Sequence, residues 1–165
     1  SGPSGCGKST FLLSLAGIWV HGEGEIHVSS TAKVLFLSQK PYLPLGSLKE
    51  LLCYPHSDYP DKKIDEVLTL CRLEKFKSHL NEIKNWSHEL SLGEQQLVSF
   101  ARVFLYEPDL LFLDEATSSL DEATEARLYE TLKARLPNMT LVSVGHRNTL
   151  RAFHERVIDV SLSSN

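Results

Sequence analysis

The chain has 165 residues, 42% hydrophobic and 23% charged, an ordinary balance for one globular domain with a sizeable core. Its net charge of −4 gives no basic excess, so no nucleic acid is expected as a partner. No apolar run approaches the roughly 18 residues needed to cross a bilayer, and Cys6, Cys53 and Cys71 have no metal-ligand spacing, which reads as thiols in a reducing compartment.

The first residues form a complete phosphate-loop pattern, Gly2-Pro3-Ser4-Gly5-Cys6-Gly7-Lys8-Ser9. Its glycines let successive backbone N–H groups turn toward phosphate oxygens. The following helix, expected from Lys8 to Ala16 with Gly17 as C-cap, presents its positive end to the same anion. Lys8 is expected on the β- and γ-phosphates and the Ser9 hydroxyl, beside Thr10, on Mg²⁺. A buried strand normally feeds such a loop. That strand would precede Ser1, so the chain is expected to be an N-terminally truncated piece of a longer protein.

Residues 22–28 read as a turn and short strand, and Val34 to Leu37 as a buried strand. Gln39 follows that strand. A neutral amide there can touch Mg²⁺ and an attacking water, yet move when the γ-phosphate leaves. Pro41, Pro44 and Gly46 make a loop. Ser47 and Glu50 form a capping box that starts a helix through Leu52. Apolar residues at 64, 67, 68 and 71 give a helix from Asp61 to Cys71, and a short helix follows from Leu73 to Leu80. Residues 47–80 are therefore a helical insertion between strand-forming parts.

Ser91 and Glu94 form a second capping box within Leu90-Ser91-Leu92-Gly93-Glu94-Gln95-Gln96. It should start a helix through Tyr106, with Leu97, Ala101, Phe104 and Leu105 on the inner face, stopped by Pro108. The run from Leu110 to Leu113 is a buried strand ending in Asp114 and Glu115. A carboxylate there is costly unless it meets a cation, so Asp114 is expected on Mg²⁺. Glu115 can address a water on the γ-phosphate side as general base. Asp121 is an N-cap for a helix to Leu136. Two more apolar runs, 141–144 and 157–160, read as strands. His146 follows the first of them, where the ligand crevice of an open α/β sheet lies. Strands alternating with helices imply an α/β fold with a largely parallel sheet covered on both faces.

Together these residues resemble the ABC ATPase family over essentially the whole chain. The motifs occur in the family's order: phosphate loop at 2–9, glutamine loop at Gln39, signature at 90–94, magnesium-site strand at 110–114 with Glu115, the loop at Ser119 to Asp121, and switch histidine His146. The resemblance implies a P-loop NTPase with a RecA-like core over 1–38 and 97–165, and a helical subdomain over 39–96 that carries the signature. It implies that MgATP is held between two such domains paired head to tail, as homo- or heterodimer. Ser91, Gly93 and Glu94 would then serve the partner's γ-phosphate, with Asp121 at the interface. It also implies that the aromatic residue stacking on adenine lies ahead of the phosphate loop.

The segment from Gln39 to Leu48, Trp86, Leu90 to Gln96, and Val144-Gly145-His146-Arg147 resemble more finely the peroxisomal fatty-acyl transporters (subfamily D) and their bacterial relatives. That group carries a membrane domain ahead of the ATPase on the same chain, which implies a place on the cytosolic face of a membrane and a coupling surface at Tyr42 to Tyr54. Three positions depart from the commonest pattern: Leu92 for glycine, Glu94 for glutamine and Leu97 for a basic residue.

Two other readings differ in class. Soluble ABC ATPases of DNA repair carry a long coiled coil between glutamine loop and signature. Here about 50 residues without heptads separate Gln39 from Leu90. A nucleotide-gated interaction module without hydrolysis would not need Lys8, Asp114, Glu115 and His146 together.

Overall fold

The computed structural model describes residues 2–3, 5–56 and 58–160. Its elements are α1 (Lys8–Leu15), β1 (Val34–Leu37), β2 (Gly46–Ser47), α2 (Leu48–Cys53), α3 (Asp61–Leu70), a 3-10 helix (Glu74–His79), β3 (Ile83–Lys84), α4 (Trp86–Glu89), α5 (Leu92–Tyr106), β4 (Leu110–Asp114), α6 (Glu122–Arg135), β5 (Thr140–Val144) and a second 3-10 helix (Asn148–Phe153).

The apolar runs of β1 and β4 have no polar alternation, which suits strands covered on both faces. They pair in parallel, and β4 pairs in parallel with β5, giving the order β1-β4-β5. Register sets Leu37 beside Leu113 and Asp114 beside Val144. The C-terminal ends of these strands therefore meet on one edge, and the residues that follow each of them emerge side by side.

Both expected capping boxes are present, Ser47 with Glu50 at α2 and Ser91 with Glu94 at α5. α5 is the spine of the molecule. It packs against α2 and α3 on one side and α6 on the other, with Phe100, Ala101 and Val103 fully buried. A left-handed Glu107 and the following Pro108 end it. The core continues through Leu51, Ile64 and Leu68 to Leu111, Leu128 and Leu132. Each such leucine contributes about 1.5–3 kcal/mol relative to an exposed one.

Several sequence expectations shift. Residues 22–28 and 157–160 join no strand. Ile26 and Val28 are exposed. Apolar β-formers become a strand only where a neighbouring ladder receives them. The stretch expected as a helix from Leu73 to Leu80 is the 3-10 helix Glu74–His79. α1 ends at Leu15, with Gly17 left-handed beyond it. Leu97 is half-buried and packs against the core, while Val98 and Phe100 join Ala101, Phe104 and Leu105 among its fully covered residues. The short α4 and the antiparallel β2–β3 pair had no counterpart in the sequence reading.

A cavity of about 850 Å³ lies between α1, β5 and α6, lined by Phe11, Leu12, Leu15, Leu132, Leu141 and Val157 among others. Its lining joins Gly2, Lys8 and His146 to apolar residues of α1 and α6, and includes neither Asp114 nor Glu115. No helix among the described residues is long and apolar enough to cross a membrane.

Candidate functional site

The phosphate loop curls around the side chain of Lys8, which is 8% exposed. Its ammonium donates to Gly2 O at 2.8 Å and Pro3 O at 2.7 Å. Gly7 is the N-cap of α1 at φ 90°, a conformation that costs other residues roughly 1–2 kcal/mol. No side chain caps this helix and no acidic residue stands in its first turn, so its leading N–H groups are left for an anion. Gly5 and Thr10 are exposed, Cys6 is buried beneath the loop, and Pro3 is exposed. Ser4 lies outside the described residues.

Ser9 Oγ donates to Asp114 Oδ1 at 2.9 Å. This joins the start of α1 to the end of β4 across 105 residues. Hydroxyl and carboxylate oxygens within one cation's reach are the hard donors Mg²⁺ takes, with phosphate and water completing the shell. Among the described residues no group of three or more His, Cys, Asp or Glu could hold a metal. This single-carboxylate pair therefore suits a metal brought with a phosphate ligand.

Glu115 has a left-handed backbone, φ 51°, and its N–H donates to Val144 O at 2.9 Å. Strain of this kind on a non-glycine residue costs on the order of 1–3 kcal/mol and clusters at functional sites. The turn brings Glu115 Oε1 to 2.7 Å from His146 Nε2. Glu115 is mostly covered and His146 mostly exposed. Gln39 stands nearby, its Nε2 donating to Ser118 Oγ at 3.5 Å, the long limit of a hydrogen bond.

The Ser91 turn is separately organised. Ser91 Oγ accepts from the Glu94 N–H at 3.3 Å, and Ser91 N–H donates back to Glu94 Oε2 at 2.8 Å. Burial pushes the Glu94 carboxyl up, but Lys75 at 2.5 Å and the Ser91 amide and hydroxyl outweigh it and hold the group below its ordinary range. A Cβ on Gly93 would stand 3.2 Å from Ser119 O, so α5 starts hard against the loop before α6. Asp121 caps α6 through the Thr124 N–H at 2.8 Å, and that amide together with the Thr124 hydroxyl holds its carboxyl low.

Sequence reasoning missed the polar groups behind this front. Gln96 is fully buried and hydrogen-bonds both Gln39 O and the Ser119 N–H. Glu125 is buried against Thr117 and Arg147. Arg102 is buried too, donating to Leu51 O at 2.7 Å and Tyr42 O at 2.9 Å, with its guanidinium over the Tyr54 ring. Burial lowers its pKa to about 10. The available signal was periodicity: Glu125 shares a stripe with Leu128 and Leu132, and Arg102 with Val98 and Leu105.

The sequence profile described as ABC transporter matches residues 1–118. An uncharacterised ABC transporter ATP-binding protein of Haemophilus influenzae is 44% identical over 157 residues, covering 94% of this chain and 26% of its own length. One from Synechocystis is 46% identical, covering 96% of this chain and 24% of its own. The ABC transporter D family member 2, chloroplastic, of Arabidopsis thaliana is 34% identical over 97% of this chain and 30% of its own. Among solved structures, a bacterial Atm1-family ABC exporter with ATP bound superposes with a TM-score of 0.83 at 26% identity, over 97% of this chain and 31% of that one. The chain thus spans about a quarter of the length of the curated relatives it matches. With the profile reaching past Glu115 and such relatives covering nearly all of the rest, the chain belongs to the ABC transporter family, as one of its ATP-binding domains.

Proposed function

We propose that this domain is the motor of a membrane transporter, binding MgATP in a head-to-tail dimer and hydrolysing it to drive transport. The observation that carries the reading is the Glu115–His146 contact at 2.7 Å, beside the Ser9–Asp114 pair at 2.9 Å. A base aligned by histidine next to a cation site is the equipment of phosphate-anhydride hydrolysis, not of binding alone.

The chain's groups then divide as follows. The backbone of residues 2–9 and the α1 start hold the phosphates, and Lys8 turns its ammonium from loop carbonyls to the β- and γ-oxygens. Ser9 and Asp114 would hold Mg²⁺, with Gln39 as a further ligand. The metal neutralises charge on the phosphate oxygens when bound. Glu115 orients the attacking water and takes its proton, while His146 fixes the Glu115 carboxylate and can reach the γ-phosphate. Ser91 and Gly93 serve the second copy's nucleotide. Glu94, already engaged by Ser91 and Lys75, contributes by fixing that turn rather than by touching phosphate.

Residues 1–38 and 97–165 act as the RecA-like core and 39–96 as the helical subdomain. The exposed Tyr42, Leu45 and Tyr54, anchored from below by Arg102, suit a contact with a transmembrane domain. That domain lies N-terminal on the same parent chain, on a membrane whose cytosolic face carries this one. The likeness to D-family members and to an ATP-bound exporter supports this arrangement.

The test compares the intact parent protein with its Glu115→Gln variant. Hydrolysis should fall by about 10²-fold or more, while an ATP-dependent dimer becomes visible by sedimentation. Chelating Mg²⁺ should abolish hydrolysis in both. Unchanged hydrolysis in Glu115→Gln would exclude Glu115 as the base.

A further inference from the structure

Residues 117–121 run from the end of the Asp114–Glu115 corner to the start of α6, and buried groups hold them from two directions. From α5, Gln96 Nε2 donates to Gln39 O at 3.0 Å and to Ser118 Oγ at 3.3 Å, and its Oε1 accepts from the Ser119 N–H at 3.0 Å. Both amide hydrogens and the amide oxygen are thereby engaged. Gly93, one turn earlier, abuts Ser119 O. From the other direction Arg147, next to His146, donates to Leu120 O at 2.7 Å and to Glu125 Oε2 at 3.2 Å. The Glu125 side chain is 3% exposed and also accepts from the Thr117 hydroxyl.

Buried amides and ions are costly unless every partner is in place. A loop held this way moves as a unit with the groups that hold it. Gln96 ties it to Gln39 and to the helix that Ser91 starts. Arg147 ties it to the residue beside His146. We propose that Gln96 and Arg147 are positioning residues that clamp loop 117–121 from opposite sides, so that the signature helix and His146 cannot shift independently. The kinetic part of this inference rests on the ATPase reading; the mechanical part does not.

The test uses Gln96→Glu and Arg147→Lys in the intact parent protein. Glutamate keeps the acceptor for Ser119 but loses the donation to Gln39 O. Lysine keeps the charge beside Glu125 but loses the fork that also reaches Leu120 O. The first readout is amide hydrogen exchange without nucleotide. The Ser119 amide should exchange about tenfold faster in both variants, including Arg147→Lys, which does not touch it, while the α6 amides stay unchanged. In hydrolysis, kcat should fall about tenfold in each with KM for ATP within twofold, and the double variant should stay well short of the hundredfold product. Exchange that quickens only beside each substitution, or kcat losses that multiply fully, would overturn the clamp. Should Gln96→Glu fail to fold, the Ser119 amide in Arg147→Lys decides alone. A parent protein that hydrolyses no ATP would count against the proposed function, and exchange would still decide the clamp.

Discussion

α1 and α5 both begin at a glycine- and serine-containing turn, yet their starts are built on opposite plans. The α1 start is open. Its N-cap is a left-handed glycine, no side chain caps it, and the Lys8 ammonium and the Asp114 carboxylate both stand beside it. The α5 start is closed. Ser91 and Glu94 satisfy one another, and Lys75 neutralises the carboxylate. An open start leaves its N–H groups free for water or an external anion, whereas a closed one is satisfied by its own side chains. In the proposed function, this difference makes α1 the half of the site that grips a triphosphate by itself. In the same reading α5 offers a preset surface to the second copy's nucleotide.

Three substitutions break or sharpen this contrast. Lys8→Ala removes the ammonium held at the open start and should weaken ATP binding about 10- to 100-fold, the worth of a charge-assisted hydrogen bond or two, as read with a fluorescent ATP analogue. An equal loss of affinity from a change at Ser91 would erase the distinction. Ser91→Ala should instead cost about 1 kcal/mol of stability through the lost cap, lowering Tm by about 2–4 °C. The single domain's ATP affinity should stay within twofold while hydrolysis falls.

The smallest effect tests the carboxylate of the closed start. Folding lowers the Glu94 pKa below its ordinary value of 4.5, so this group stabilises the fold above that pH and the contribution fades as pH falls through the lowered value. Glu94→Gln should flatten the acid limb of stability against pH and cost about 0.5 kcal/mol at neutrality, where the pair with Lys75 is partly solvated. A parallel acid limb in the variant would show that Lys75 and Ser91 do not hold Glu94 charged.

The motifs were legible because each is local chemistry. Ser91 with Glu94, and Ser47 with Glu50, are three residues apart, and a capping box needs nothing beyond those residues. β1 and β4 were legible because an apolar run without polar alternation has one economical place, a parallel sheet covered on both faces. Residues 22–28 and 157–160 carry similar apolar residues and join no strand. Whether an apolar run becomes a strand depends on a ladder beside it, which composition does not encode.

By itself, then, the sequence determined which groups are present and which short turns they make: the loop that wraps Lys8, the helices capped by Ser47, Ser91 and Asp121, and the carboxylates at a strand's end. It also determined the family, because the order of those pieces along the chain is itself a pattern. Only the tertiary structure decided which of them touch. Ser9 and Asp114 are 105 residues apart, Glu115 and His146 are 31 apart, and the Gln96 amide meets a backbone 57 residues away. The physical reason is the parallel sheet. Its register gathers the ends of β1, β4 and β5 on one edge, and the burial of α5 and α6 against it forces Gln96, Arg102 and Glu125 to find partners that no local spacing could have named.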